Sequence, residues 1–418
     1  MTTGITPHSP TGTTTGSIPT VNTPAGSGAD STAGLVLHAA VHGQFGSYQP
    51  DDVTWLLTDL SPVALEQDTA TREHAIQTGT HYSEMLPVEY QPADDYVALF
   101  HQTLTDTMDR LAVAVGVVGE QIWSDHATLV NGMPQPPVLV SLARAGTPIG
   151  VLLRRYFRHV HHVKAPHYTI SIIRGRGIDT VALAHILDHH PASAVVFVDG
   201  WTGKGAIQKQ LTEAVTAWVA DHPEHAALDD RLAVLADPGS CTPVYGTRDD
   251  FLIPSAALNS TVSGLVSRTV FRDDLIQPGM FHGAKYYAEW AASDVSRHYV
   301  DTVAARFPAM HETITAIYRT KTVTEDTTPH WSGWATVTDL ATEFGITDIN
   351  LVKPGVGETT RVLLRRVPWK ILVRDITSAD VAHVLMLARD RGVEVIERPG
   401  LAYSCVGLIQ QVAGATDY

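Results

Sequence analysis

The sequence predicts an α/β protein: a parallel sheet with helices on both faces, followed by a second, smaller α/β domain. Three observations carry this. Between Val138 and Ala236, short runs rich in Val, Ile and Leu alternate with stretches of helical pattern, as βαβ units require. The runs are apolar at consecutive positions, as in Val195-Val196-Phe197-Val198, which suits strands buried on both faces. From His330 the pattern restarts with shorter elements and a different charge balance.

Composition bounds the function. The 418 residues are 44% hydrophobic and 17% charged, enough for about two or three soluble domains. A net charge of −15 excludes a general nucleic-acid coat, so any such site must be local. Two cysteines, Cys241 and Cys405, exclude a disulfide framework and argue against a Cys-based zinc site. No apolar run reaches the roughly 18 residues that span a bilayer, and the N-terminus lacks a charged and an apolar signal region. The expectation is a cytoplasmic protein with no membrane partner.

Taken in order, residues 1–33 are Thr, Ser, Gly and Pro with little apolar content, and the expectation is a disordered tail. Asp51-Asp52 before Val53-Thr54-Trp55-Leu56-Leu57 reads as the cap of a short helix. Apolar residues at helical spacing predict a helix from Tyr96 to about Val118. Val138–Leu142 is a strand, and Pro148 opens a helix to about Phe157. Tyr168–Ile173 is the next strand, with a helix to about Leu187; Val195–Val198 is the third, followed by a helix from Ala206 to Ala220; Leu232–Ala236 is the fourth. A helix is expected from about Lys285 to Phe307 and a polar linker from Arg319 to Pro329. Beyond it, strands are expected near Ile349–Val352, Val362–Leu364, Lys370–Arg374, Val393–Ile396 and Cys405–Ile409, with a helix from Ala379 to Arg391. The domains are therefore drawn at 34–325 and 330–418.

In open parallel sheets ligands bind at the carboxyl ends of the strands. The loops at Arg144, Arg174 and Asp199 all lie there. After the third strand comes Asp199-Gly200-Trp201-Thr202-Gly203-Lys204-Gly205-Ala206, a polar turn into a helix. Such a turn aims unpaired backbone N–H groups at one point, where a phosphate fits. The spacing fits neither a Walker A loop nor a Gly-x-Gly-x-x-Gly fingerprint. It resembles the phosphoribosyl diphosphate (PRPP) loop of type I phosphoribosyltransferases. The resemblance implies that Asp199 holds the ribose and that Thr202, Gly203, Lys204, Gly205 and Ala206 hold the 5′-phosphate, although Gly200 replaces the usual second acid. The alternative is a phosphate site of another α/β fold.

Leu142-Ala143-Arg144-Ala145-Gly146 resembles the pyrophosphate loop of the same family, with Arg144 as the cation and Ala145 and Gly146 supplying backbone donors. Arg174 and Arg176 place two guanidinium groups on one turn; they could meet the diphosphate or belong to a solvated loop. Cys241, after Gly239-Ser240, with His282 elsewhere, leaves open a Cys–His nucleophile pair.

Several blocks in a fixed order carry a wider resemblance: Gly46-Ser47-Tyr48 with Asp51-Asp52-Val53, His81–Met85, Val140–Gly150, Arg174–Asp179, Val198–Ile207, Leu258–Arg268 and Phe281–Ala284. Over about Leu35 to Phe307 they look like the StiP family of tellurite-resistance stress operons, known as cysteine proteases. The segment Lys370–Asp375 with Val393–Leu408 resembles a Pelota-type RNA-binding module. From His330 on lie 9 of the 29 basic and 10 of the 44 acidic residues, and Arg361, Arg365, Arg366 and Lys370 form a local basic cluster that could face RNA. Setting the transferase-like loops against the protease name, the reading taken from the sequence is a PRPP-dependent phosphoribosyltransferase. It would use Mg²⁺ and an unidentified acceptor to make or salvage a nucleoside-like metabolite, with a type I phosphoribosyltransferase-like sheet and hood. Asp199 and Arg144 would be its catalytic residues. A cysteine protease using Cys241, an enzyme running the reverse phosphorolysis and a noncatalytic PRPP- or RNA-binding regulator are the alternatives.

Overall fold

The computed structural model describes residues 38–40, 44–68, 71–72, 75–76, 79–89, 91–130 and 133–410, so the tail expected at 1–33 lies outside the described residues. Six parallel strands form the central sheet: β1 (Thr54–Trp55), β2 (Val138–Leu142), β3 (His167–Ile170), β4 (Val195–Trp201), β5 (Ala233–Ala236) and β6 (Tyr245–Thr247). Their order is β1-β3-β2-β4-β5-β6, with every neighbouring pair parallel.

The helices are α1 (Asp94–His126), α2 (Thr147–Val160), α3 (Thr180–Leu187), α4 (Ala206–Asp221), α5 (Ser296–Ala304) and α6 (Phe307–Thr324). Strand side chains alternate between two layers. Val196 and Val198 pack with Leu111 of α1, Leu152 of α2 and Ile314 of α6. Val195 and Phe197 face Leu183 of α3 and Leu211 of α4 instead. The expected architecture, a parallel sheet covered on both faces, is present.

The strand order places a switch point between β2 and β4. The chain leaves β2 for β3 on one side and later adds β4 on the other, which opens a crevice at their carboxyl ends. The loop beyond β2 lies against β4: a Cβ on Gly146 would lie 2.4 Å from the Val198 carbonyl oxygen.

The structure corrects several local expectations. Residues 53–57 are not a helix. Thr54 and Trp55 pair with Tyr168 and Thr169 as an edge strand, and Asp52 forms an ion pair with Arg155 at 2.8 Å. Pairing with β3 and the burial of Trp55 against Phe45, 5.8 Å between rings, outweigh the capping signal. The strand expected over 168–173 breaks at Ser171. Ile172–Ile173 pairs antiparallel with Gly177–Ile178, so Arg174 and Arg176 sit on a hairpin tip. The helix expected over 285–307 is a 3₁₀ turn (Ala288–Ser293) followed by α5. The linker expected at 319–329 begins as the last turns of α6.

The C-terminal part contains α7 (Ser332–Glu343), β7 (Val352–Pro354), α8 (Val356–Arg365), β8 (Pro368–Val373), α9 (Ala382–Asp390), β9 (Glu394–Glu397) and β10 (Cys405–Ile409). Its sheet runs β7-β10-β8-β9, with β10 antiparallel to β7 and β8, and β8 parallel to β9. The strand expected at 362–364 lies inside α8: Val362 and Leu363 face the core, and Thr360 bonds one turn back to the Val356 carbonyl at 2.7 Å.

The two parts share one core. Leu252 and Ala256 pack with Val356, Leu363, Ile371 and Val373. Asp250 ties the seam, accepting from the Val356 and Ser404 amides, each at 2.8 Å. Burial pushes its carboxyl up to about 6 from an ordinary 3.8. A raised acid contributes stability in full below its unfolded pKa and loses it as pH rises through the folded value. As pH falls from 7 to 4, the stability gap between the native chain and Asp250→Asn should therefore move in favour of the native chain by up to about 3 kcal/mol. Urea unfolding at both pH values measures this; a gap independent of pH would refute the raised carboxyl pKa of Asp250.

Candidate active site

Beyond β5 the chain turns through Asp237-Pro238-Gly239-Ser240-Cys241. Asp237 is fully buried and organises this loop. Its carboxylate accepts the Cys241 amide at 3.0 and 2.9 Å and the Thr242 amide at 3.0 Å. It also accepts the Thr202 hydroxyl and forms an ion pair with Arg248. Thr202 thus joins the loop after β4 to the loop after β5. Ser240 adopts a left-handed backbone, φ 52°, which closes the turn around the carboxylate.

Cys241 points from this loop toward the turn Gly203-Lys204-Gly205. Its Sγ lies 3.7 Å from the Gly203 carbonyl oxygen. A Cβ on Gly205 would fall 2.9 Å from Sγ, and Gly205, at φ 78°, is the residue from which α4 starts. The thiol therefore lies beside the N-terminus of α4, where unpaired N–H groups favour negative charge. Burial outweighs this. Cys241 is 1% exposed, and desolvation, then the Asp237 charge, push its thiol up to about 12.

The C-terminal part supplies the cover. The Trp331 amide donates to the Ser240 carbonyl at 2.9 Å, and the Gly333 amide to the Gly239 carbonyl at 3.0 Å. The Trp331 ring fills the space over Gly205, where a Cβ would meet it at 2.3 Å. Tyr403, wholly buried, donates its hydroxyl to the Gly203 carbonyl at 3.0 Å. Lys209 of α4 faces the Trp334 ring at 3.6 Å. Sequence reasoning missed Trp331 and Tyr403, and no local signal marks them.

The structure gathers some predicted site residues and separates others. Asp199 follows the four buried residues that open β4; desolvation pushes its carboxyl up to about 7, and it accepts its neighbour Gly200's amide at 2.7 Å. Arg144 is paired with Glu89 at 2.9 Å and donates to the Val266 carbonyl at 3.2 Å; Ala145 and Gly146 follow it in the loop after β2. Arg176 forms an ion pair with Glu84 and donates to the Phe271 carbonyl at 3.0 Å. Arg174 and Lys204 meet at Asn350. Arg361 pairs with Glu358 at 2.9 Å, donates to the Ala256 carbonyl at 3.2 Å and faces the Trp201 ring at 4.8 Å, so it holds the seam. Lys370 pairs with Glu394 across β8 and β9. Arg366 is exposed, and the Arg365 side chain lies outside the described residues.

Cys241 and His282 are not brought together. His282 Nδ1 lies 2.9 Å from Ser171 Oγ, beyond the end of β3, and its amide donates to Asp179 at 2.6 Å. Three strand spacings separate β3 from β5, on the order of 14 Å. Burial holds the His282 ring down to about 4, so it stays neutral where it lies.

Residues 46–304 match the family model described as tellurite-like stress resistance cysteine protease StiP. The chain belongs to the StiP family. A relative from Acinetobacter baylyi, named cysteine protease StiP, is 33% identical over 384 residues, covering 88% of this chain and 95% of its own. Residues 331–411 match the PELOTA RNA binding domain. No solved structure matches.

These StiP matches overturn the expectation of a PRPP-dependent phosphoribosyltransferase: the family and the relative carry the name of a protease, a hydrolase. The side chains give a physical reason. Thr202 is committed to Asp237, and Arg144 and Arg176 to carboxylates. These three side chains of the loops read as the 5′-phosphate and diphosphate sites are thus engaged in protein contacts. Mg²⁺ entered only as the diphosphate's companion; among the described residues no three His, Cys, Asp or Glu side chains gather as a metal site. Among the same residues no helix is long and apolar enough to cross a membrane.

Proposed function

We propose that this StiP-family chain is a peptide hydrolase whose nucleophile is the Cys241 thiol. One observation supports the assignment above others. The family match spans 46–304, and Cys241 is the single cysteine within it; Cys405 lies in β10 of the other part. Cys241 also has surroundings that suit a thiolate once water reaches it. The N-terminus of α4 is adjacent, and Lys209 and Arg248 both act to lower its pKa. The conformation described is the closed one, in which Trp331 and Tyr403 cover the loop. Attack on a peptide carbonyl requires that cover to withdraw. In the open state the unpaired N–H groups of α4 would face the developing oxyanion.

The test compares Cys241→Ser and Cys405→Ser in cleavage of a fluorogenic casein by the full chain. The expected result is loss of about 10³-fold or more of the rate in Cys241→Ser, with Cys405→Ser near the parent value. Cleavage that survives Cys241→Ser would sink the reading.

For the C-terminal part we propose RNA as the partner, on the strength of the PELOTA match over 331–411. Binding of a labelled single-stranded oligoribonucleotide by the full chain, weakening steeply with salt, is the expected behaviour.

A further inference from the structure

The seam between the two parts carries a concentration of positive charge in a chain whose net charge is −15. Lys204 lies in the turn before α4, and Arg174 on the hairpin tip after β3. Both reach the same neutral acceptor. Lys204 Nζ lies 3.2 Å from Asn350 Oδ1, and Arg174 Nη1 lies 3.0 Å from the same oxygen. Asn350 sits in the 3₁₀ turn Ile349–Leu351 that leads into β7, where Lys353 follows.

Two carboxylates lie near these cations, and both have other bonds. Asp348 accepts the Asn350 amide at 2.8 Å, and Glu358 pairs with Arg361 at 2.9 Å. Arg174 is exposed, and Lys204 and Lys353 are half-buried, so solvent reaches the group. Lys204 donates to Ile349 and Asn350 and so retains a third N–H; the Arg174 fork has five donors. The fold holds like charges around a neutral amide oxygen, an arrangement that an anion would relieve.

We propose that Lys204, Arg174 and Lys353 form a phosphate-binding site astride the seam, and that its ligand is a backbone phosphodiester of single-stranded RNA. The inference rests on the RNA reading of the C-terminal part and deepens it. It assigns the RNA path to the seam, using one cation from β7 and two from the central-sheet part. Arg361 and Lys370, the basic residues most conspicuous in sequence, are paired within the protein with Glu358 and Glu394. RNA is favoured over a protein partner because the site has spare N–H donors, and because Asn350 and Lys353 belong to the segment matching an RNA-binding domain.

Titration supports the geometry. Burial, then the charges of Lys353 and Arg174, hold Lys204 down to about 8, while Asp348 and Glu358 oppose the shift. Lys353 is also held below its ordinary value, by burial, by Arg366 and by Arg174, again against Glu358 and Asp348. A bound phosphate would raise Lys204, so binding takes up a proton and weakens as pH rises through 8.

The experiment measures affinity of the full chain for a fluorescent 12-nucleotide single-stranded RNA at several salt concentrations. The parent is compared with the double variant Lys204→Gln, Lys353→Gln and with Lys164→Gln, whose lysine pairs with Asp51 on the surface. Thermal unfolding checks that each variant is folded. The double variant should bind at least tenfold more weakly, with its log K against log salt slope reduced by about 0.7, the value of one phosphate contact on a single strand. Lys164→Gln should bind like the parent. If the double variant binds within twofold of the parent at an unchanged slope, the seam site is overturned and RNA binding by the C-terminal part stands. If the parent binds no RNA, both fail.

Discussion

Replacing Trp331 with alanine is expected to speed alkylation of Cys241 by iodoacetamide at pH 8 by roughly 30- to 100-fold. In the closed chain the thiol is 1% exposed and held up to about 12, so it reacts only through opening of its cover. Trp331 provides much of that cover, its ring filling the space over Gly205 and its amide tied to Ser240. It is half-buried, so truncation should favour opening by about 2–3 kcal/mol, rather less than a core aromatic costs. Every 1.4 kcal/mol is tenfold in the open population. Cys405, fully buried between α8 and the sheet, is the internal standard and should remain slow. Peptide mass spectrometry after timed alkylation separates the two sites. An unchanged Cys241 rate would show that Trp331 does not gate the thiol.

The second large effect is on stability. Asp237→Ala should destabilise the chain by about 3–5 kcal/mol in urea unfolding. The carboxylate is fully buried and serves the Cys241 and Thr242 amides, the Thr202 hydroxyl and Arg248. Alanine leaves two amides, a hydroxyl and a guanidinium without their acceptor. The double substitution Asp237→Ala, Arg248→Ala should cost less than the two single costs added, since one unpaired charge is removed with the other. A loss under about 1 kcal/mol in Asp237→Ala would mean that water replaces the carboxylate and that the loop is not organised as described.

The sequence was informative where a residue's role is local. β2, β4 and β5 were legible because each is a continuous apolar run bounded by a turn, and α4 because it starts just past Gly203 and Gly205. Family membership was legible for a different reason: separate motif blocks occur in a fixed order, and the match at 46–304 spans them. The β1 region was misread because a strand of two residues exists only through its partner Tyr168–Thr169. α8 was misread as a strand because Val362-Leu363-Leu364 has no period of its own. The transferase reading took Arg144, Arg176 and Lys204 from their own loops alone, where the protein partners that engage them do not show. Their partners Glu89, Glu84 and Ile349 lie 55, 92 and 145 residues away.

By itself, then, the sequence determined the layered α/β scaffold, the loops at the carboxyl edge of its sheet, the family, and the presence of two cysteines. These follow from short-range periodicity, turn chemistry and ordered motifs, which a linear text preserves. Only the tertiary structure decided that Asp237 anchors the Cys241 loop, that His282 is held elsewhere, and that the C-terminal part covers the thiol. Tyr403 reaches Gly203 across 200 residues of chain. Contacts of that separation leave no periodic trace in the sequence, because they are selected by the packing of two finished surfaces rather than by the conformational preferences of neighbouring residues.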